Sequence, residues 1–379
     1  MATIDELAHL VLRQESEDEP TPSCDTGNEY DGRLGLRVAA LFIIWVTSSI
    51  GAVFPVFAKQ HGNLKIPDWV FFVCKYFGSG VIIATAFIHL LAPAEEALTN
   101  PCLTGPITEY SWVEGIILMT IFVLFFVELM VMRYGNFGGG HEHAHEEAHP
   151  HPGQNIGMGT TSGYKDNAQD SAESTPEPAI PHRPQQSVHL PGEDHHGHAR
   201  EHNDIEDASH PLSFEDYKAQ MTAVFILEFG IIFHSVFIGL TLAVAGEEFS
   251  TLFVVLIFHQ TFEGLGLGSR LALSPWPKNR RWTPYILALV YGLSTPVAIA
   301  IGLGVRKSYP PGSSTTLIVN GVFDSISAGI LIYTGLVELM AHEFMFSTSM
   351  KRAPISVVLW AFALMCLGGG LMALLGKWA

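Results

Sequence analysis

Residues 251–272 read TLFVVLIFHQTFEGLGLGSRLA. A bilayer core of about 30 Å is crossed by about 20 mostly apolar helical residues, and this stretch is long and apolar enough to cross. His259 and Glu263 are four residues apart, which places them one turn apart on one face of a helix. Ionisable side chains are expensive in hydrocarbon, so they normally face a bundle interior or a water-filled path. The stretch therefore predicts a membrane-spanning helix and marks where the chemistry of the chain lies.

Working outward, seven more such stretches appear, at Leu36–Ala58, Val70–Ala92, Trp112–Arg133, Ala219–Ala245, Pro284–Val305, Thr316–Ala341 and Ser356–Gly376. Punctuation falls between them: Pro67 with Asp68, Pro93, Gly246 with Glu247 and Glu248, Pro310 with Pro311, and Pro354. The chain reads as an all-α polytopic membrane protein with eight transmembrane helices. Composition agrees once the charge is located. The 379 residues carry 20 Lys+Arg against 37 Asp+Glu, a net charge of −17, yet 48% are hydrophobic. Residues 1–35 hold −7 and residues 134–218 hold −11, so the remaining 259 residues sum to +1. A nearly neutral apolar body with two acidic segments excludes nucleic-acid binding, which needs a basic footprint, and points to the lipid bilayer as the partner. Four scattered cysteines form no CxxC pair, which excludes a disulfide-rich scaffold and a thiolate zinc finger. The N-terminus has neither the basic start nor the long apolar run of a cleaved secretory signal.

Eight spans place both termini on one side. Fourteen Lys/Arg on the odd-numbered links and at the start of span two, against six opposite, put the termini outside. The expected organisation is an extracellular acidic tail (1–35), helices one to three (36–133), a cytosolic loop (134–218) and helices four to eight (219–379). Cys24 and Cys102 then share the oxidising face, where they can form a disulfide. The loop is rich in Gly, Ser, Pro and acids and poor in aromatics, so disorder is expected. It carries twelve histidines, among them His141, His143, His145, His149 and His151 in HEHAHEEAHPH and His195, His196 and His198 in HHGH. Neutral imidazole is a common metal ligand, and a flexible chain can gather several. A solvated linker with incidental histidines is the alternative.

Within the spans the polar residues fall into groups. Span four carries His234 near its middle, with Ser235 beside it. The link to span five is short, so the two run antiparallel and His234 can stand level with His259 and Glu263. Two imidazoles and a carboxylate suit a borderline divalent cation; interhelix hydrogen bonding is the competing account. His89, Glu95, Glu96 and Asp324 lie toward the outer face and form a candidate approach. Glu128, Glu228 and the i, i+4 pair Glu338 and His342 lie toward the cytosol and form a candidate exit. Glu343 follows, and pairing of Glu128 with Arg133 is a structural alternative.

The motifs HSVFIGLTLAV (from His234) and HQTFEGLGLGSRL (from His259) strongly resemble the Zrt/Irt-like (ZIP) family of zinc and iron transporters. Fungal plasma-membrane zinc-uptake permeases look closest, also through KYFGSGVIIATAFIHLLAPAEEAL and GVFDSISAGILIYTGLVELMAHEF. The resemblance implies a ZIP-type bundle with the His-rich loop between helices three and four, and zinc ligation by His234, His259 and Glu263. Prokaryotic relatives build a binuclear centre from HNxPEG and QDxPEG patterns. Here Ser235 stands for the Asn, Ile238 for the Glu and Gln260 for the Asp, so Ser235 and Gln260 read as remnants of a second site and a mononuclear site is expected. The family also implies a homodimer, and sliding of spans one, four, five and six against the others.

The expected activity is uptake of Zn²⁺ across the plasma membrane by alternating access, with Fe²⁺, Mn²⁺ and Cd²⁺ as further candidate substrates. The metal is cargo and no catalytic cofactor is expected. Rival readings are a cation-diffusion-type exporter, an intramembrane zinc hydrolase and a metal sensor.

Overall fold

The computed structural model describes residues 23, 24, 27, 30, 32–61, 66–134, 214–306 and 310–378. Among these, eight helices are long and apolar enough to cross a membrane: α1 (Leu34–Gln60), α2 (Asp68–Leu98), α3 (Trp112–Tyr134), α4 (Phe214–Val244), α5 (Phe249–Leu273), α6 (Thr283–Val305), α7 (Ser314–Phe346) and α8 (Ile355–Leu375). Every expected span has its helix. The His-rich loop histidines, from His141 to His198, lie outside the described residues.

The helices pack in two sets. α1 lies along α5 and α6, and α6 along α4; α2 lies along α8 and α7, and α7 along α3. The sets meet chiefly where α5 crosses α2 and α4 crosses α7. This is the division of spans that the family resemblance implies. Small residues make the crossings close. A side chain on Gly266 would stand 2.8 Å from the Gly78 Cα of α2, and one on Gly264 would stand 3.1 Å from the Ser48 carbonyl of α1. Without a large hydrophobic drive between helices in lipid, such van der Waals contact is a main source of adhesion.

The proline inside α6 is accommodated. Pro296 has no N–H, which frees the carbonyl of Gly292 four residues earlier; the Ser48 hydroxyl of α1 lies 3.2 Å from it, within donating distance. Arg37 of α1 is fully buried. Its guanidinium donates to the carbonyls of Leu242 (3.1 Å), Ala243 (2.9 Å) and Ala245 (2.5 Å), which the end of α4 leaves unpaired. The rings of Tyr30 and Phe249 stand 4.6 and 4.5 Å from it.

Two departures from regular α-helix bear on function. Thr85–Leu91 of α2 and Gly335–Phe346 of α7 are π-helical, a wide turn that recurs at functional sites. The first contains His89 and the second Glu338, His342 and Glu343. A disulfide joins Cys24 to Cys102, as their common face led us to expect.

Candidate metal centre

α4 and α5 bring His234, His259 and Glu263 together. One ligand atom from each lies within 4.8 Å of the others, and the three side chains are 1%, 1% and 0% exposed. His259 Nε2 is 3.3 Å from Glu263 Oε1. Ligand atoms around a tetrahedral zinc, with bonds of about 2.0–2.1 Å, stand about 3.3 Å apart. The pair is already at metal-bridging distance, and the His234 ring lies 5.6 Å from that of His259 centre to centre.

The hydrogen bonding favours ligation over interhelix glue. Both nitrogens of His234, Nε2 of His259 and both oxygens of Glu263 are buried and make no hydrogen bond of good geometry. Burying a carboxylate and two imidazoles with so little hydrogen bonding is costly; a divalent cation would take the lone pair of one nitrogen from each ring and a carboxylate oxygen together. Three protein ligands would also leave a bound ion a fourth coordination position for water or an incoming ligand.

A family model described as ZIP Zinc transporter matches residues 34–376. The chain belongs to the ZIP zinc transporter family. Zinc-regulated transporter 2 of Saccharomyces cerevisiae is 42% identical over 98% of this chain and 100% of its own length. Zinc-regulated transporter 1 of Schizosaccharomyces pombe is 38% identical over 97% of this chain and 92% of its own. Zinc transporter 3 of Arabidopsis thaliana, at 30% identity, covers 98% of this chain with 95% of its own. The ZIP assignment makes zinc the transported substrate rather than a catalytic cofactor.

Around this ZIP centre the structure redistributes the other polar residues. His89, expected near the outer end of its span, stands edge-on to His259 with ring centres 4.8 Å apart. Its Nε2 lies 3.1 Å from the Met372 carbonyl of α8. A carbonyl only accepts, so Nε2 carries the hydrogen and a neutral His89 keeps its lone pair on Nδ1. Ser235 and Gln260 are fully buried beside each other, with the amide nitrogen 3.5 Å from the hydroxyl. The buried Tyr291 hydroxyl donates to the Gln260 carbonyl at 2.6 Å and steadies α5 at this level.

The remaining residues are not part of the cluster. Glu95 and Asp324 are partly exposed on α2 and α7, and Glu96 is exposed. Glu128 of α3 accepts a hydrogen bond from Tyr333 of α7 at 2.5 Å, a partner that sequence spacing did not suggest. Glu228 is buried at 3% exposure, and neither of its oxygens makes a hydrogen bond. Glu338 and His342 pair at 2.8 Å and line a cavity at the end of the bundle where α4 and α6 begin.

Proposed function

We propose that this ZIP transporter carries Zn²⁺ from the outside to the cytosol through the His234, His259 and Glu263 centre by alternating access. The observation that carries the reading is that set of buried ligand atoms within 4.8 Å of one another, one pair of them 3.3 Å apart, in a chain whose relatives are named zinc-regulated transporters. The same family membership supports transport over the intramembrane hydrolase and the cation-diffusion-type exporter. The ion arrives past Glu95, Glu96 and Asp324, and His89 offers Nδ1 as it reaches His259. The centre then passes it toward Glu228, Glu338, His342 and Glu128. One metal is bound at a time, because Ser235 and Gln260 supply no carboxylate for a second.

In this reading both termini are extracellular and residues 134–218 are cytosolic. The Cys24–Cys102 disulfide supports it, since disulfides persist in oxidising compartments. The loop histidines then gather zinc on the cytosolic side, the plasma membrane is the site of action, and the protein works as a homodimer. Fe²⁺, Mn²⁺ and Cd²⁺ compete with zinc, because ligand type alone separates divalent ions poorly.

The test is uptake of radiolabelled zinc by cells expressing the wild type, His259→Ala or Glu263→Ala, with surface amounts measured. Wild-type accumulation above the untransfected level, and background accumulation by both variants, is the expected result. Normal uptake by both variants sinks the central assignment.

A further inference from the structure

At the end of the bundle where α4 and α6 begin, a cavity of about 680 Å³ is walled in part by Ala223, Leu227, Leu339, Lys75, Arg270 and Glu343. The three charged residues are tied together. Glu343 of α7 has Oε2 2.6 Å from the Lys75 ammonium of α2 and Oε1 3.3 Å from the Arg270 guanidinium of α5. The other end of that guanidinium donates to Ser79 Oγ of α2 at 2.9 Å. With side-chain exposures of 12% for Arg270, 15% for Glu343 and 22% for Lys75, these contacts are partly shielded from the water that makes surface ion pairs weak, and each has at least one ionised partner, the stronger kind.

Arg270 occupies a telling register. Positions 259, 263, 266 and 270 follow the spacing of one helix face, so the face of α5 that carries the ligands His259 and Glu263 continues through Gly266 to Arg270. Gly266 presses on Gly78, and Arg270 holds the next residue, Ser79. The ligand helix, which otherwise belongs with α1, is thus fastened to the opposite helix set at two adjacent levels, first by shape and then by charge.

We propose that Arg270 is a positioning residue for transport: through Glu343, Lys75 and Ser79 it latches the ligand-bearing helix α5 to α2 and α7 in the conformation whose cavity is open. Neither Arg270 nor Glu343 touches the ion. Any conformation in which α5 shifts against α2 must break the latch, so its strength sets the population of the open-cavity state and the rate of turnover, while affinity at the centre is set elsewhere. This rests on the assignment of His259 and Glu263 as transport ligands.

The experiment places a reporter cysteine at Ala223→Cys in the full chain after Cys74→Ser and Cys366→Ser have removed the free thiols. Maleimide labelling is measured in permeabilised membranes without metal, and zinc uptake in the intact cells. Arg270→Gln should slow labelling about threefold or more by shifting the conformational population. It should lower maximal uptake by a similar factor with KM within about twofold, since no ligand is altered. Combining Arg270→Glu with Glu343→Arg puts the carboxylate on α5, within reach of two cations on α2 and α7, and should restore labelling to within about twofold of the parent. A purely structural role for Arg270 would not be rescued by exchanging the charges. Unchanged labelling in Arg270→Gln at normal surface amount, or a charge exchange no better than the single variant, overturns the latch. Should Arg270→Gln not reach the surface, Ser79→Ala removes the acceptor of Arg270, along with the hydroxyl's bond within α2 to the Lys75 carbonyl, and no charge; slower labelling supports the latch and unchanged labelling overturns it. Labelling uses no zinc, so absent wild-type uptake would overturn the transport reading without deciding this one.

Discussion

α3 and α5 are the most and the least apolar of the eight spans, and burial runs the other way. None of the most apolar 18-residue stretch of α3 is buried, whereas half of that of α5 is. Phe122 and Phe126 of α3 are 62% and 58% exposed, while α5 holds Gln260 and Glu263 at 0%. A helix on the lipid boundary has to be apolar almost all round, because hydrocarbon offers polar groups no partner. A helix enclosed by others can carry glycines where backbones cross and polar groups where helices meet. Hydropathy therefore finds the spans, and the span that holds the His259 and Glu263 pair is the one with the weakest signal.

Substitutions can break or sharpen this contrast. The largest effect is expected from Glu263→Ala, which removes the carboxylate of the centre: zinc-dependent stabilisation of the purified protein against heat should disappear, and a retained thermal shift would break the contrast at its strongest point. Next comes Gly266→Ala, whose added methyl must push α5 from Gly78; overpacking of this kind costs about 1–3 kcal/mol, readable as easier unfolding in SDS. A smaller loss, about 1 kcal/mol for a single hydrogen bond, is expected from Tyr333→Phe, which deprives Glu128 of its 2.5 Å donor and tests how far α3 depends on α7. The smallest effect is expected from Phe126→Leu on the lipid face of α3, where stability should stay within about 0.5 kcal/mol and uptake should match the wild type. Impaired uptake there would mean that α3 meets a partner rather than lipid.

Much of the site was legible because its signals are local. His259 and Glu263 advertise themselves by a four-residue interval inside an apolar run, and the short link from α4 to α5 fixes His234 at the same depth. His89 shows what the spacing could not give. Its span reads as ending at Ala92, whereas α2 continues to Leu98 and passes through a wide turn on the way, and the ring lies beside that of His259. Glu128 was open to pairing with Arg133 because sequence spacing sees neighbours on one helix, whereas Tyr333 reaches it from another.

By itself the sequence determined the number of spans, the acidic flanks of a neutral body and the ligand types, since hydropathy, charge and residue chemistry are properties of short stretches. Only the tertiary structure decided that Arg37 is buried as the cap of α4, that His89 attends the centre and that Arg270 fastens the ligand helix to Ser79 and Glu343. Those outcomes depend on which helices cross and at what level, and crossing is set by the summed fit of many side chains, which no single interval along the chain records.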